Sequence, residues 1–470
     1  MAFGVHDWAP YAGNSVLITG FFLLADRLTV GLRSWHKACL CVLLMSFPLL
    51  ARAATTCRPD FAAALLTSAG VFAVAGTRAS RWDFIRTSLG RRIAVGAWFG
   101  AAVLAKPSVF PSTLAIMCAC TGAAAVSHLM TERSRGSAND RSFRRIAKAL
   151  SPCFATAFLA TIPYFALQGR QTLQYIFDNT IGVNAAVWAY PGNMGQVLTF
   201  YLIGPGADGM LSGHRLVLVI AATAATLFYA RRRRFRYFAA IFPVAAALAV
   251  AYAVCTANRM KNEFLGLTFQ VCLVFSVVAA IRNLILSQLA RRQLPWAEAL
   301  LLIITLSGVL GFKWPDRVGT LDAAGIRPQT EVAERLFDIS RSQVESTGNS
   351  IAAPRVFVTF TGRISAYLFN YMALKQHISI QFYDLSVGGD INRYFAALDS
   401  ADMVITCDPD MGRELSREEV GLVSNYVPNA AFREALLSAI RARSSYTLLA
   451  QVPYPSSRYC FYVYKRRSPG

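Results

Sequence analysis

Residues 78–148 read RASRWDFIRTSLGRRIAVGAWFGAAVLAKPSVFPSTLAIMCACTGAAAVSHLMTERSRGSANDRSFRRIAK. Arginines crowd both ends, and two apolar runs, 93–105 and 109–129, lie between them, joined only by Lys106-Pro107-Ser108. A helix crossing the bilayer core needs roughly 20 apolar residues. The stretch therefore reads as a pair of membrane helices with both basic ends on one side and Lys106 at the turn on the other.

Outward from this pair the pattern repeats. Apolar spans read at 15–32, 38–52, 61–77, 150–168, 214–230, 237–255, 263–281 and 297–312, giving about ten spans in all. The loops at 33–37, 78–92, 131–148, 231–236 and 282–296 hold 21 Lys and Arg, while those at 53–60, 106–108, 169–213 and 256–262 hold one or two each. Loops rich in Lys and Arg stay cytoplasmic because such segments resist translocation. Both ends of the chain, and everything after Phe312, are then expected outside.

The fold class that follows is a polytopic α-helical membrane domain followed by a small external α/β domain. The membrane domain covers 1–312, a linker broken by Pro315 and Pro328 covers 313–330, and the external, periplasmic domain covers 331–470 of a plasma-membrane or inner-membrane protein. In the last of these, strands at Arg355–Phe360, Ile378–Asp384, Ala401–Cys407, Tyr446–Val452 and Tyr459–Lys465 alternate with helices at 331–345, Ile364–Leu374, Ile391–Leu398, Glu418–Asn425 and 431–443. Strands alternating with helices give a layered α/β unit with a parallel core. The composition agrees: 55% hydrophobic residues and 16% charged ones, with a mean hydropathy of +0.40. A net charge of +21 would suggest nucleic acid in a soluble chain, but most of the surplus sits in juxtamembrane loops, where topology and anionic lipid account for it. Nucleic acid is not expected as a partner.

Several motifs read as structure rather than chemistry. Gly204-Pro205-Gly206-Ala207-Asp208-Gly209 matches a dinucleotide fingerprint by letter, but it lacks the flanking strand and helix and contains proline, so it reads as a turn. Asp408-Pro409-Asp410 closes a strand, and Pro409 makes a turn there; a divalent cation is the alternative. Thr361-Gly362-Arg363, between a strand and a helix, is a conceivable anion site and an ordinary connection. Cys407 and Cys460 sit on strands in a compartment that permits disulfides, with their pairing open. The five histidines show no zinc spacing.

The membrane domain lacks ionisable residues at mid-span, which disfavours a proton-coupled transporter. Polar residues gather instead at external turns: Arg58-Pro59-Asp60, Lys106-Pro107-Ser108, and Asn258-Arg259-Met260-Lys261-Asn262-Glu263. A carboxylate there could take a proton from an acceptor hydroxyl, and cations could hold a lipid phosphate and stabilise its charge as a sugar departs. Interfacial arginines and lysines also snorkel in membrane proteins generally.

At these residues the chain resembles the GT-C superfamily of membrane glycosyltransferases, which includes protein O-mannosyltransferases and the lipid A aminoarabinose transferase. Arg58-Pro59-Asp60 opening a span resembles the family's second external acidic position. GAWFGAAVLAKPS at 96–108 resembles its glycine-rich helix ending in Lys-Pro, and RMKNEFLGLTFQ at 259–270 resembles its late Lys/Asn turn. The resemblance covers most of residues 35–470, including the strands Ala401–Thr406 and Phe461–Arg466.

It implies transfer of a sugar from a polyprenyl phosphate to an envelope lipid, glycan or protein. Asp60 is then the acidic candidate, for catalysis or for a divalent cation such as Mg or Mn. Lys106, Arg259, Lys261, Asn262 and Arg58 face the donor phosphate, and Trp188 and Tyr190 contact sugar or acceptor. The family's main catalytic carboxylate follows a first span; here only Asp7 precedes residue 15 and is a poor stand-in, so the resemblance implies that a first span and loop are missing. The other readings are a non-catalytic membrane scaffold or a carrier for a lipid-linked sugar.

Overall fold

The computed structural model describes residues 9–55, 59–76, 84–134, 140–182, 190, 192–211, 235–261, 264–289, 298–299, 301–303, 305–306, 323–346, 353–360, 364–385, 391–409, 411, 430–455 and 457–467. It divides into two compact units, with the boundary between Val318 and Gly319.

The membrane unit is a helical bundle. Its helices are α1 (Ala9–Leu28), α2 (Ser34–Met45), α3 (Pro48–Thr55), α4 (Pro59–Ala75), α5 (Leu89–Ala105), α6 (Phe110–Ser134), α7 (Asp140–Thr180), α8 (Met194–Thr199), α9 (Pro205–Leu211), α10 (Phe235–Ala257) and α11 (Leu267–Leu289). Proline opens α3, α4 and α9, where its fixed φ suits the first helical position and its missing N–H costs nothing. The predicted span 214–230 lies outside the described residues.

Helix α4 is the hub. Small residues line it, and Ala63, Ala64, Thr67, Ser68 and Gly70 are all buried. It packs on α5, α6, α10 and α11. Small residues let helix backbones approach closely in a bilayer, where apolar surface alone gives helices no preference for one another over lipid. The Ser68 hydroxyl, donating to Ala64 O at 2.7 Å, also lies 3.1 Å from Cys272 Sγ on α11. On α11, Phe275 packs against Phe21 of α1 at 4.6 Å between ring centroids.

Two expectations change and a third holds. The stretch 38–52 is not one helix: α2 ends at Met45 and α3 begins at Pro48, because Pro48 cannot continue the preceding hydrogen-bond ladder. The span at 150–168 is the middle of α7, a helix of 41 residues, about 60 Å long at 1.5 Å per residue. That is roughly twice the thickness of a bilayer core, so the opening of the loop at 169–213 is a continuation of α7. The span expected at 93–105 lies within α5, which is separated from α6 at Lys106, whose backbone is extended with φ −146° and ψ 91°, as the residue before a proline prefers.

The C-terminal unit holds a five-stranded sheet in the order β2-β1-β3-β5-β4. The strands are β1 (Arg355–Val358), β2 (Gln381–Tyr383), β3 (Met403–Cys407), β4 (Tyr446–Pro453) and β5 (Cys460–Arg466). β1 pairs in parallel with β2 and β3, and β5 is antiparallel to β3 and β4. Helices α12 (Ala323–Ser346) and α13 (Ala366–Lys375) cover one face, and α14 (Ile391–Ser400) and α15 (Ala430–Ala442) the other. Helix α12 starts eight residues before the expected 331, running through Pro328 inside the stretch read as linker. The predicted helix at Glu418–Asn425 and the Thr361-Gly362-Arg363 motif lie outside the described residues.

Register settles the cysteine question. Cys407 faces Phe461 across the β3–β5 ladder, so Cys460, one residue away, points to the opposite sheet face. Cys407 packs with Phe461 in one core and Cys460 edges the other. Both thiols are expected to be free in protein from an oxidising compartment: alkylation in denaturant without reductant should label each one, and an unlabelled pair would refute the register argument.

Candidate functional site at the Lys106 end of the bundle

The first turn of α4, the break between α5 and α6 and the C-terminal end of α10 lie at one end of the bundle. There Pro107 stops α5 and leaves Lys106 at its C-cap. Asp60 stands in the first turn of α4, where the helix dipole favours a negative charge. Packing of α4 on α5 brings the two together, and the Lys106 ammonium donates to Asp60 Oδ1. With side-chain exposures of 22% for Lys106 and 11% for Asp60, the pair is only partly screened by water.

Lys261 stands in the turn that follows α10. Its ammonium turns back onto the C-terminus of α10 and donates to the carbonyls of Cys255 (3.0 Å), Thr256 (2.7 Å) and Asn258. Those carbonyls have lost their helical partners, and a cation there answers the negative end of the helix dipole. Burial pushes the Lys261 ammonium below the ordinary lysine value. A phosphate at Lys261 would have to displace these contacts.

The late turn is braced around Lys261. The Tyr201 ring lies 5.8 Å from the ammonium, and a Cβ at Gly266 would fall 2.2 Å from that ring, so only glycine fits. Tyr190 N donates to Arg259 O at 3.0 Å, and its ring meets Phe200 edge-on at 5.1 Å. Arg259 itself is exposed. Gln270, fully buried, donates to Gly206 O at 2.7 Å; the glycine-rich segment is not a turn, because Pro205 opens α9 and residues 205–209 are its first five. Asp7, Arg58, Trp188 and Asn262 lie outside the described residues.

Close to both groups is a small pocket of about 10 Å³, lined by Leu49, Arg52, Ala53, Phe61, Met210, Phe264 and Leu267. Phe61 follows Asp60, and Phe264 belongs to the turn that carries Lys261. Arg52, in the last turn of α3, is the cation in this otherwise apolar lining. It escapes a sequence reading because it falls at the end of an apolar run taken as a span; an arginine inside such a run is the signal that was available.

Among the described residues Asp60 is paired with Lys106, and no group of three His, Cys, Asp or Glu is arranged for a metal. Asp408 is likewise a turn residue: its carboxylate accepts from the Tyr462 hydroxyl and from Cys460 N, both at 2.7 Å.

No family model and no curated protein matches the sequence. Two solved structures are similar to it in fold. They are ArnT from Cupriavidus metallidurans in the apo state, 13% identical with a TM-score of 0.52, covering 97% of this chain and 82% of that one, and the same protein bound to undecaprenyl phosphate, 12% identical with a TM-score of 0.52, covering 97% and 84%. The chain has an ArnT-like fold, a mostly helical bundle followed by a small α/β unit.

Proposed function

We propose that this chain is a membrane glycosyltransferase that takes a sugar from a polyprenyl-phosphate donor at the Lys106 end of the bundle. Loops at that end carry few Lys and Arg, so this is the outer face by the positive-inside rule, and the same rule puts residues after Phe312 outside. The acceptor class is a hydroxyl of an envelope lipid, glycan or protein. The observation that carries the reading is the Asp60–Lys106 pair beside a small apolar pocket with Arg52 in its wall, in a fold shared with a protein solved with undecaprenyl phosphate.

The chemistry follows from the charges. The bond between the sugar carbon and the phosphate oxygen breaks while a bond from that carbon to the acceptor oxygen forms. The departing phosphate gains negative charge, which Lys106 and Arg52 stabilise. The acceptor proton passes to Asp60. A phosphate that draws Lys106 toward itself leaves the Asp60 carboxylate less neutralised and a better base. Lys261 acts on this scheme by holding the late turn in shape rather than by gripping phosphate.

The test is native mass spectrometry of gently purified protein. A polyprenyl-phosphate sugar should co-purify, and the adduct should weaken at least tenfold in Lys106→Ala and Arg52→Ala. A clean spectrum from folded protein would favour a non-catalytic scaffold. Bound lipid that crosses the membrane without sugar transfer would favour a carrier.

A further inference from the structure

At the opposite end of the bundle, α5 and α7 begin side by side. They run parallel, and their backbones touch: a Cβ at Gly96 would meet Cys153 O at 2.2 Å, and one at Gly100 would meet Ala160 Cβ at 2.8 Å. One turn earlier, Arg92 donates to Lys148 O at 3.5 Å and to Ile85 O at 2.9 Å. This contact sets the first turn of α5 beside residues 145–149 of α7. Arg91, Arg92, Arg144, Arg145 and Lys148 thereby share one depth, and all but Arg92 are exposed. Arg144 and Lys148, four residues apart, lie on one face of α7 and repel each other.

Two further features point to a ligand. Arg92 Nε is buried without an acceptor among the described residues. Ile93 and, farther along α5, Trp98 are 41% and 43% exposed, so an apolar surface continues from the charged one toward the bilayer. Glu132, an acid at the same end of the bundle, is paired with Arg86 at 2.5 Å.

We propose that the paired N-termini of α5 and α7 form a binding site for an anionic phospholipid of the adjacent leaflet. Its phosphate sits among Arg91, Arg144, Arg145 and Lys148, and its acyl chains lie along Ile93 and Trp98. Charge attracts the headgroup, and the apolar residues select a lipid over a free anion. The site is separate from the donor region at the other end and does not depend on the proposed transfer reaction.

Titrating the detergent-solubilised full chain with phosphatidylglycerol or phosphatidylcholine of identical acyl chains, read by native mass spectrometry, tests this. Phosphatidylglycerol should give adducts at least tenfold more abundant than phosphatidylcholine. R144Q/R145Q/K148Q should lose that preference, and Arg91→Gln, which leaves α7 untouched, should weaken it. R144K/R145K should keep it, as should the charge-matched control R27Q/R33Q/R133Q. Equal adducts of the two lipids in the unaltered protein, or equal loss in the control, would overturn the proposal. Displacement of phosphatidylglycerol by millimolar inorganic phosphate would overturn the choice of a lipid in favour of a free anion.

Discussion

Gly96→Ala is expected to destabilise the membrane unit by about 2 kcal/mol net, and Gly96→Leu to prevent its assembly. The reason is the crossing of α5 and α7. A Cβ at Gly96 would sit 2.2 Å from the carbonyl oxygen of Cys153 and 2.9 Å from Thr156 Cβ. The first of these is backbone and cannot swing aside, so the helices must separate. Overpacking costs about 1–3 kcal/mol where side chains can yield, and this contact belongs at the top of that range. Alanine returns about 1 kcal/mol through its better helix propensity, which leaves the net figure. Gly122 on α6 supplies the control: a Cβ there meets nothing within 4 Å, so Gly122→Ala is expected to be neutral or stabilising by up to about 1 kcal/mol. Thermal melts of the two purified variants in one detergent decide the matter. If Gly96→Ala melts with Gly122→Ala, the close crossing is wrong.

That crossing also shows what the sequence makes legible. GAWFG at 96–100 announces a helix face built for close approach, yet it does not say which helix approaches. The partner is fixed only when residues 153–160 of α7 come alongside. The ends of apolar runs mark where lipid ends, not where a helix ends, and so α7 runs on to Thr180 past the polar Gln168, Arg170 and Gln171. In the C-terminal unit, short apolar runs bounded by turn residues place all five strands within three residues of their observed ends, because the central strands are buried on both faces. The candidate site divides the same way. Topology alone sets Asp60, Lys106 and Lys261 at one depth. Whether a long flexible side chain reaches across to Asp60, as Lys106 does, or folds back on its own helix end, as Lys261 does, depends on neighbours far away in sequence. Arg52 is hidden by the hydrophobic run that ends on it.

Lys106→Ala and Asp60→Asn are both expected to lower sugar transfer by about 10²–10³-fold, the range seen when one group stabilising developing charge is removed or a proton acceptor is lost. A structural role could lower activity too, so the ion pair itself must be separated from the chemistry. Removing one partner of a pair this well covered leaves an uncompensated charge, which costs about 1–3 kcal/mol and should lower the melting temperature of Lys106→Ala. Removing both partners relieves that penalty. The double variant, Asp60→Asn with Lys106→Met, should therefore recover most of the lost stability while its transfer rate stays at or below that of the worse single variant. Stability and activity would then move in opposite directions across one double-mutant cycle, which no purely structural role produces. Recovery of transfer in the double variant would make the pair a packing device and move the chemistry to other residues.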